Sequence, residues 1–197
     1  MTKSDDIELP ITIKDSTSND YLFINTTTKT SYNHTVYLLN EITDIQHYLT
    51  FLTLLENATE NDTITIILNN CGGYISTGTH LIDSIRNSNA LVNIKVVANC
   101  YSMASMLAIT GDNLEINDTS YLMFHDYSGG QYGKGNEMSL QNTASQSQMK
   151  LFFKKYLTPF LTNEECTTIL QGKDLYIHAE DVRKRWKRVI KNKYIRG

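Results

Sequence analysis

Proline is nearly missing from this chain: Pro10 and Pro159 are the only two in 197 residues. That excludes a Pro-rich linker or recognition tract. Cysteine is scarce and odd in number, with Cys71, Cys100 and Cys166 at scattered spacing. Such a set fits free thiols in a reducing compartment better than a disulfide frame, so the expected location is the cytoplasm. No window approaches the ~20 apolar residues of a membrane span, so no membrane contact is expected. Met1 leads into Thr2-Lys3-Ser4-Asp5-Asp6 rather than the apolar core of a signal peptide. Charge of one sign is also lacking. With 18 basic and 21 acidic residues the net charge is −3, which argues against a chain built to hold nucleic acid. There is no internal repeat and no Gly-Lys-Ser/Thr phosphate loop, so any ATP binding would belong to a partner.

What is present suits one domain with a real core, since 41% of the residues are hydrophobic. Residues 1–19 are polar, with only Ile7, Leu9, Ile11 and Ile13 alternating, and read as a flexible arm. Tyr21-Leu22-Phe23-Ile24 reads as a short strand. Over residues 33–57, Val36, Leu39, Ile42, Ile45, Leu49, Leu52 and Leu55 recur at helical spacing and predict a helix. Thr63 to Leu68 is β-branched and apolar, which predicts a strand buried on both faces. Helical and extended patterns then alternate: a helix from Thr77, a strand over 93–98, a small apolar helix from Ser102, and a strand from Ser120 to Phe124. That alternation predicts an α/β fold with mainly parallel strands. Residues 137–158 predict a long polar helix with Met149, Phe152, Phe153 and Tyr156 gathered at its end. Such a helix either meets a partner chain or packs on its own domain. Thr162 and Glu165 form a capping-box signature for the next helix.

The segment from Asn69 to His125 carries the chemistry. A glycine pair, Gly72-Gly73, ends one strand; Ser105 sits among small apolar residues at a helix start; His125 closes another strand. Acyl transfer needs a nucleophile, a base, an orienting acid and oxyanion donors. Ser105 and His125 fit the first two roles. Glycine permits close backbone approach, so the Gly73 amide suits one donor, and the Met106 amide behind Ser105 suits the other.

The chain resembles the proteolytic subunits of the Clp protease, within the ClpP/crotonase superfamily. Tyr101-Ser102-Met103-Ala104-Ser105-Met106 is similar to that family's Gly-X-Ala-Ala-Ser-Met. Met123-Phe124-His125-Asp126-Tyr127 stands for its Met-Ile-His-Gln-Pro, and Asn70-Cys71-Gly72-Gly73 for its Asn-Ser-Pro-Gly-Gly. Asp174-Leu175-Tyr176-Ile177-His178-Ala179 matches the segment that carries its acid. The resemblance implies a β-α-β superhelical spiral with mainly parallel strands over residues 20–185 and a protruding handle helix over 137–158. It implies a serine endopeptidase with Ser105 as nucleophile, His125 as base, Asp174 as orienting acid, and Gly73 and Met106 as the oxyanion hole, with neither metal nor cofactor. It also implies rings of seven, stacked, enclosing a chamber for polypeptide substrates fed by a separate ATPase unfoldase. Tyr101 replaces the glycine of the nucleophile motif, no proline precedes Gly72, and Asp126-Tyr127 replace Gln-Pro.

Rival readings are weaker. His178 follows the acid instead of closing a strand, and Asp126 is sequence-adjacent to the base, where strand geometry points it to the opposite face. Cys71 and Cys100 flank the site without occupying the nucleophile position. A different class of function is a catalytically weak structural or scaffold subunit, associated with a phage capsid. An acyl-CoA enzyme of crotonase type is a third. The C-terminal segment 186–197 belongs to a basic run in which Arg183, Lys184, Arg185, Lys187, Arg188, Lys191, Lys193 and Arg196 have no acid between them. It reads as a solvated helix face or as a surface for an acidic partner or nucleic acid.

Overall fold

The computed structural model describes residues 12–14, 23–28, 31–130 and 132–195. The elements in chain order are β1 (Thr12–Lys14), β2 (Phe23–Thr28), β3 (Tyr32–Ile42), α1 (Leu49–Asn57), β4 (Thr63–Gly73), α2 (Ile75–Asn87), β5 (Leu91–Tyr101) and α3 (Met103–Ala108). There follow β6 (Asn113–Ile116), β7 (Tyr121–Phe124), α4 (Gly135–Phe152), α5 (Asn163–Leu170), β8 (Leu175–His178) and α6 (Ala179–Ile195). Apart from β1, the expected arm over residues 1–19 lies outside the described residues, as do Tyr21 and Leu22 of the expected first strand.

One sheet orders the strands β1-β2-β3-β4-β5-β7-β8. From β3 through β4 and β5 to β7 the pairing is parallel, as the β-α-β alternation predicts; the β7–β8 pair is antiparallel. Near its middle β5 forks. Its residues Asn93–Val96 pair with β6, while Cys100 and Tyr101 pair with β7. The helices cover one face only. Ile64, Ile66 and Leu68 of β4 and Val92, Ile94 and Val96 of β5 are buried, whereas Thr65, Ile67, Lys95 and Val97 between them are half-exposed. The expectation that β4 is buried on both faces is therefore corrected. Its apolar run reflects β propensity on the outer face and core packing on the inner one. Each fully buried aliphatic side chain there stabilises the fold by about 1.5–3 kcal/mol.

The helix expected over residues 33–57 is a strand, a 3-10 turn and a helix. Val36, Leu38 and Ile42 are the buried positions of β3, alternate until Asn40 takes a left-handed φ of 70° and shifts the register. Leu39 on the opposite face is also apolar and half-buried, so Val36, Leu39 and Ile42 mimic a three-residue spacing. The chain then turns through Ile45–Tyr48, capped by Asp44, before α1 begins.

The long helix is present as α4, and it continues into a π turn at Phe153–Leu157. Its aromatic end turns inward: Met149, Phe152, Phe153, Tyr156 and Leu157 are buried within this chain. The apolar groups that α4 leaves to solvent are Leu140 and Leu151. Trp186 and Val189 bury the inner stripe of α6. Three basic residues of its first half are paired locally. Arg183 pairs with Asp118, Lys184 with Glu180 and Asp181, and Arg185 with Glu165. Among the described side chains this leaves Lys187 and Arg188 without an ion pair.

The Arg185–Glu165 pair ties α6 to α5. Two guanidinium nitrogens donate to the two carboxylate oxygens at 2.8 and 2.7 Å, with side-chain exposures of 17% and 23%. Glu165 also accepts the Thr162 N–H at 2.9 Å, closing the capping box predicted from sequence. The Arg185 guanidinium holds the Glu165 carboxyl below its usual range, with help from the Thr162 amide. A depressed carboxylate contributes stability above its unfolded value, about 4.3, and loses it as pH falls through the lower folded value. Glu165→Gln should therefore cost about 1–2 kcal/mol at pH 7, allowing for partial exposure. In urea titrations the difference from wild type should shrink toward zero in acid below that window; an equal difference at pH 7 and in acid would refute the pairing as its cause.

Candidate active site

Four chain segments meet at one edge of the sheet because of strand direction. β4, β5 and β7 run parallel, so Gly72-Gly73, Ser102 and His125 all lie at or just past their carboxyl ends. β8 runs antiparallel to β7, so Asp174, just before it, lies at the same edge. In that pairing Phe124 faces Leu175, and one step further sets Asp174 across from His125. In open α/β sheets the carboxyl edge is where ligands bind.

The turn after β4 is fixed by Asn70, which is buried and whose Oδ1 accepts the Gly72 N–H at 2.8 Å. Gly72 has φ 89° and Gly73 φ 144°, values that favour glycine. Both also lack room for a Cβ. At Gly72 it would lie 2.7 Å from the Tyr101 carbonyl oxygen and 2.8 Å from the Ser102 Cβ; at Gly73, 2.0 Å from the Ile42 oxygen. The Gly72 amide is thus spent on Asn70; Gly72 rests directly against the turn that carries Ser102, and Gly73 against Ile42 of β3.

That turn is the most unusual backbone in the site. Ser102 has φ 55° and ψ −127°, a conformation that non-glycine residues rarely adopt. Such strain costs of order 1–3 kcal/mol and clusters at functional sites. It forms a sharp passage from β5 to α3, the geometry that exposes a nucleophile between strand and helix. Three hydrogen bonds hold it. The Ser102 N–H donates to the Met123 oxygen at 2.8 Å, and the Ser102 oxygen accepts from Ser105 at 3.0 Å and Met106 at 3.3 Å. Its side chain remains partly exposed. Met103 follows as the first residue of α3, where an N–H has no intrahelical acceptor. Gly78 of α2 lies against the Met103 side chain so closely that a Cβ there would approach its Cγ to 2.0 Å.

Ser105, expected as the nucleophile, does not present its hydroxyl. It is fully buried; its Oγ donates to the Cys100 oxygen at 2.7 Å and accepts from the Met123 N–H at 3.1 Å. It pins β5, α3 and β7 together beneath the Ser102 turn. The Met106 amide, expected in the oxyanion hole, is spent on the Ser102 oxygen. Both groups are engaged for the same reason: one turn into α3, side chains and amides belong to the core and the helix ladder. Ser102 was overlooked because Ser102-Met103 and Ser105-Met106 repeat the same dipeptide three residues apart. Only the second carries the alanine that the family motif puts before serine.

His125 is half-buried and Asp174 exposed. The rivals are placed elsewhere. His178 faces Tyr121 at the far end of β8, with ring centroids 5.7 Å apart. The Asp126 Oδ1 accepts the Tyr127 N–H at 2.9 Å. Burial pushes the Cys100 thiol up to about 12 and raises Cys71 as well, so neither is a ready thiolate at neutral pH.

Replacing Ser105 by Ala should leave the Cys100 carbonyl and the Met123 N–H without their buried partner. The expected loss is about 1–3 kcal/mol, read from chemical denaturation; unchanged stability would refute the pinning role.

A family model described as Clp protease matches residues 18–164 of the chain, ending ahead of Asp174 and β8. No curated protein matches it.

Proposed function

The chain belongs to the Clp protease family, and from that premise we propose that it is a serine endopeptidase whose nucleophile is Ser102. The observation that carries this reading is the strained Ser102 turn at the carboxyl edge of the sheet, beside the strand ends that bear His125 and Asp174. His125 takes the proton from the Ser102 hydroxyl as its oxygen attacks the peptide carbonyl. The developing oxyanion is held by the Gly73 and Met103 amides: Gly73 because the Gly72 amide is already engaged, and Met103 because it directly follows the nucleophile. His125 then returns the proton to the leaving amine, and water, deprotonated by the same imidazole, hydrolyses the acyl-enzyme. Asp174 orients the ring and stabilises its charged form.

The chain works as a ring-forming subunit, with polypeptides as substrates and a separate ATPase as their source. Supporting that assembly, α4 leaves Leu140 and Leu151 uncovered, and among the described residues the outer sheet face is partly exposed at Thr65, Ile67, Lys95 and Val97. The scaffold alternative gains no particular observation.

Peptide hydrolysis separates the two serines. Ser102→Ala should abolish turnover, a loss of about 10⁴-fold or more in kcat, while Ser105→Ala, though less stable, should retain measurable turnover. Loss with Ser105→Ala and retention with Ser102→Ala would overturn the assignment.

A further inference from the structure

Asn70 is a polar side chain only 3% exposed, placed where the sheet loses its register on both sides. It pairs with Asn40 of β3 and with Cys100 of β5; the first ladder slips just after it and the second just before it. Regular strand pairing therefore stops specifying the backbone at this residue. Gly72 and Gly73 follow, and the wide conformational range of two adjacent glycines leaves their turn undetermined by its own backbone. The Asn70 side chain selects one conformation. Its Oδ1 accepts the Gly72 N–H at 2.8 Å, an Asx turn, in which asparagine bonds the amide two residues on. Beyond Gly73, the Tyr74 N–H donates to the Ile42 oxygen at 2.8 Å. The amides before and after Gly73 are thus both tied down, and the turn is clamped from both sides. The clamp also reaches the Ser102 turn, since a Cβ on Gly72 would lie 2.8 Å from the Ser102 Cβ. A shift of Gly72 therefore changes how the Gly73 amide stands to the Ser102 hydroxyl.

We propose that Asn70 is a positioning residue of the oxyanion hole: through Gly72 it fixes where the Gly73 N–H meets the charge that develops beside Ser102. The inference rests on the serine endopeptidase reading and deepens it. Gly72 is buried, so without Asn70 its N–H would lie away from water with no acceptor. The two glycines let the turn rotate to find one, and the Gly73 amide rotates with it. The loss then falls on the transition state, because the substrate oxygen depends on that amide most when it carries charge. A serine at this position accepts the same N–H through its hydroxyl, more weakly. Alanine and valine have no acceptor to offer.

The test compares the full-length wild type with Asn70→Ala, Asn70→Val and Asn70→Ser in hydrolysis of p-nitrophenyl butyrate and of its thiono analogue, in which sulfur replaces the carbonyl oxygen. Amides placed for an oxyanion discriminate against sulfur, which is larger and a weaker hydrogen-bond acceptor. The oxygen-to-sulfur ratio of kcat/KM, taken on one preparation, cancels the fraction of protein folded. Asn70→Ala should lower kcat on the oxygen ester about tenfold to a hundredfold with KM within about twofold, and should cut the ratio at least about tenfold. Asn70→Val, whose β-branched side chain suits a strand, is the second acceptor-free variant and should behave alike. Asn70→Ser should restore both quantities to nearer wild type than Asn70→Ala. A wild-type ratio in either acceptor-free variant would overturn the positioning role and leave the hydrolase standing. So would Asn70→Ser as impaired as Asn70→Ala. Absence of ester hydrolysis by wild type would overturn both readings.

Discussion

The structure depends on a strained backbone at Ser102 being held in place by better-satisfied neighbours. A residue at φ 55° and ψ −127° does not stay there unaided. Here the restraint comes from all sides. The Met123 carbonyl takes its N–H, the first turn of α3 takes its carbonyl, and the glycine turn after β4 leaves no free space beside its Cβ. Ser105, buried beneath, locks β5 to β7 through one hydroxyl that both donates and accepts. Two serines three residues apart thus divide the work: one is held out toward solvent, and the other does the holding.

The sheet determines what else reaches that point. Because β5 forks, its last residues are free to pair with β7, and that pairing brings His125 to the edge where Ser102 stands. β8 then closes the sheet antiparallel, so that a segment distant in sequence delivers Asp174 to the same edge. α5 and α6, joined by Glu165 and Arg185, flank β8 in sequence and brace that return. Site and fold are coupled through strand direction more than through any single contact.

Much of this was legible in the sequence, for identifiable reasons. β4 and β5 announce themselves by β-branched runs, and the Thr162–Glu165 capping box by its spacing. His125 and Asp174 stand out in the sequence because each abuts a strand that can be recognised. β3 reads as a helix because Leu39, apolar on its outer face, falls three residues from Val36 and from Ile42 on its inner face. The sequence motif favours Ser105, whereas the strained turn belongs to Ser102; the property that separates them is a dihedral angle, which letters do not carry, and the same Ser-Met pair occurs twice. The partners of Arg183 and Arg185 lie far away in sequence at Asp118 and Glu165, so the basic segment gave no sign of these pairs. The aromatic end of α4 turned inward for a similar reason: Tyr156 donates to Asp83 of α2 at 2.7 Å and lies beneath the Arg86 guanidinium, contacts that spacing alone does not reveal.

The most direct measurement is the position of a fluorophosphonate adduct, mapped by tandem mass spectrometry on the peptide that spans residues 101–106. An adduct on Ser102 is the predicted result, with Ser105 unmodified because its hydroxyl is buried and doubly hydrogen-bonded. An adduct on Ser105 would contradict the assignment and require this edge of the sheet to open in solution.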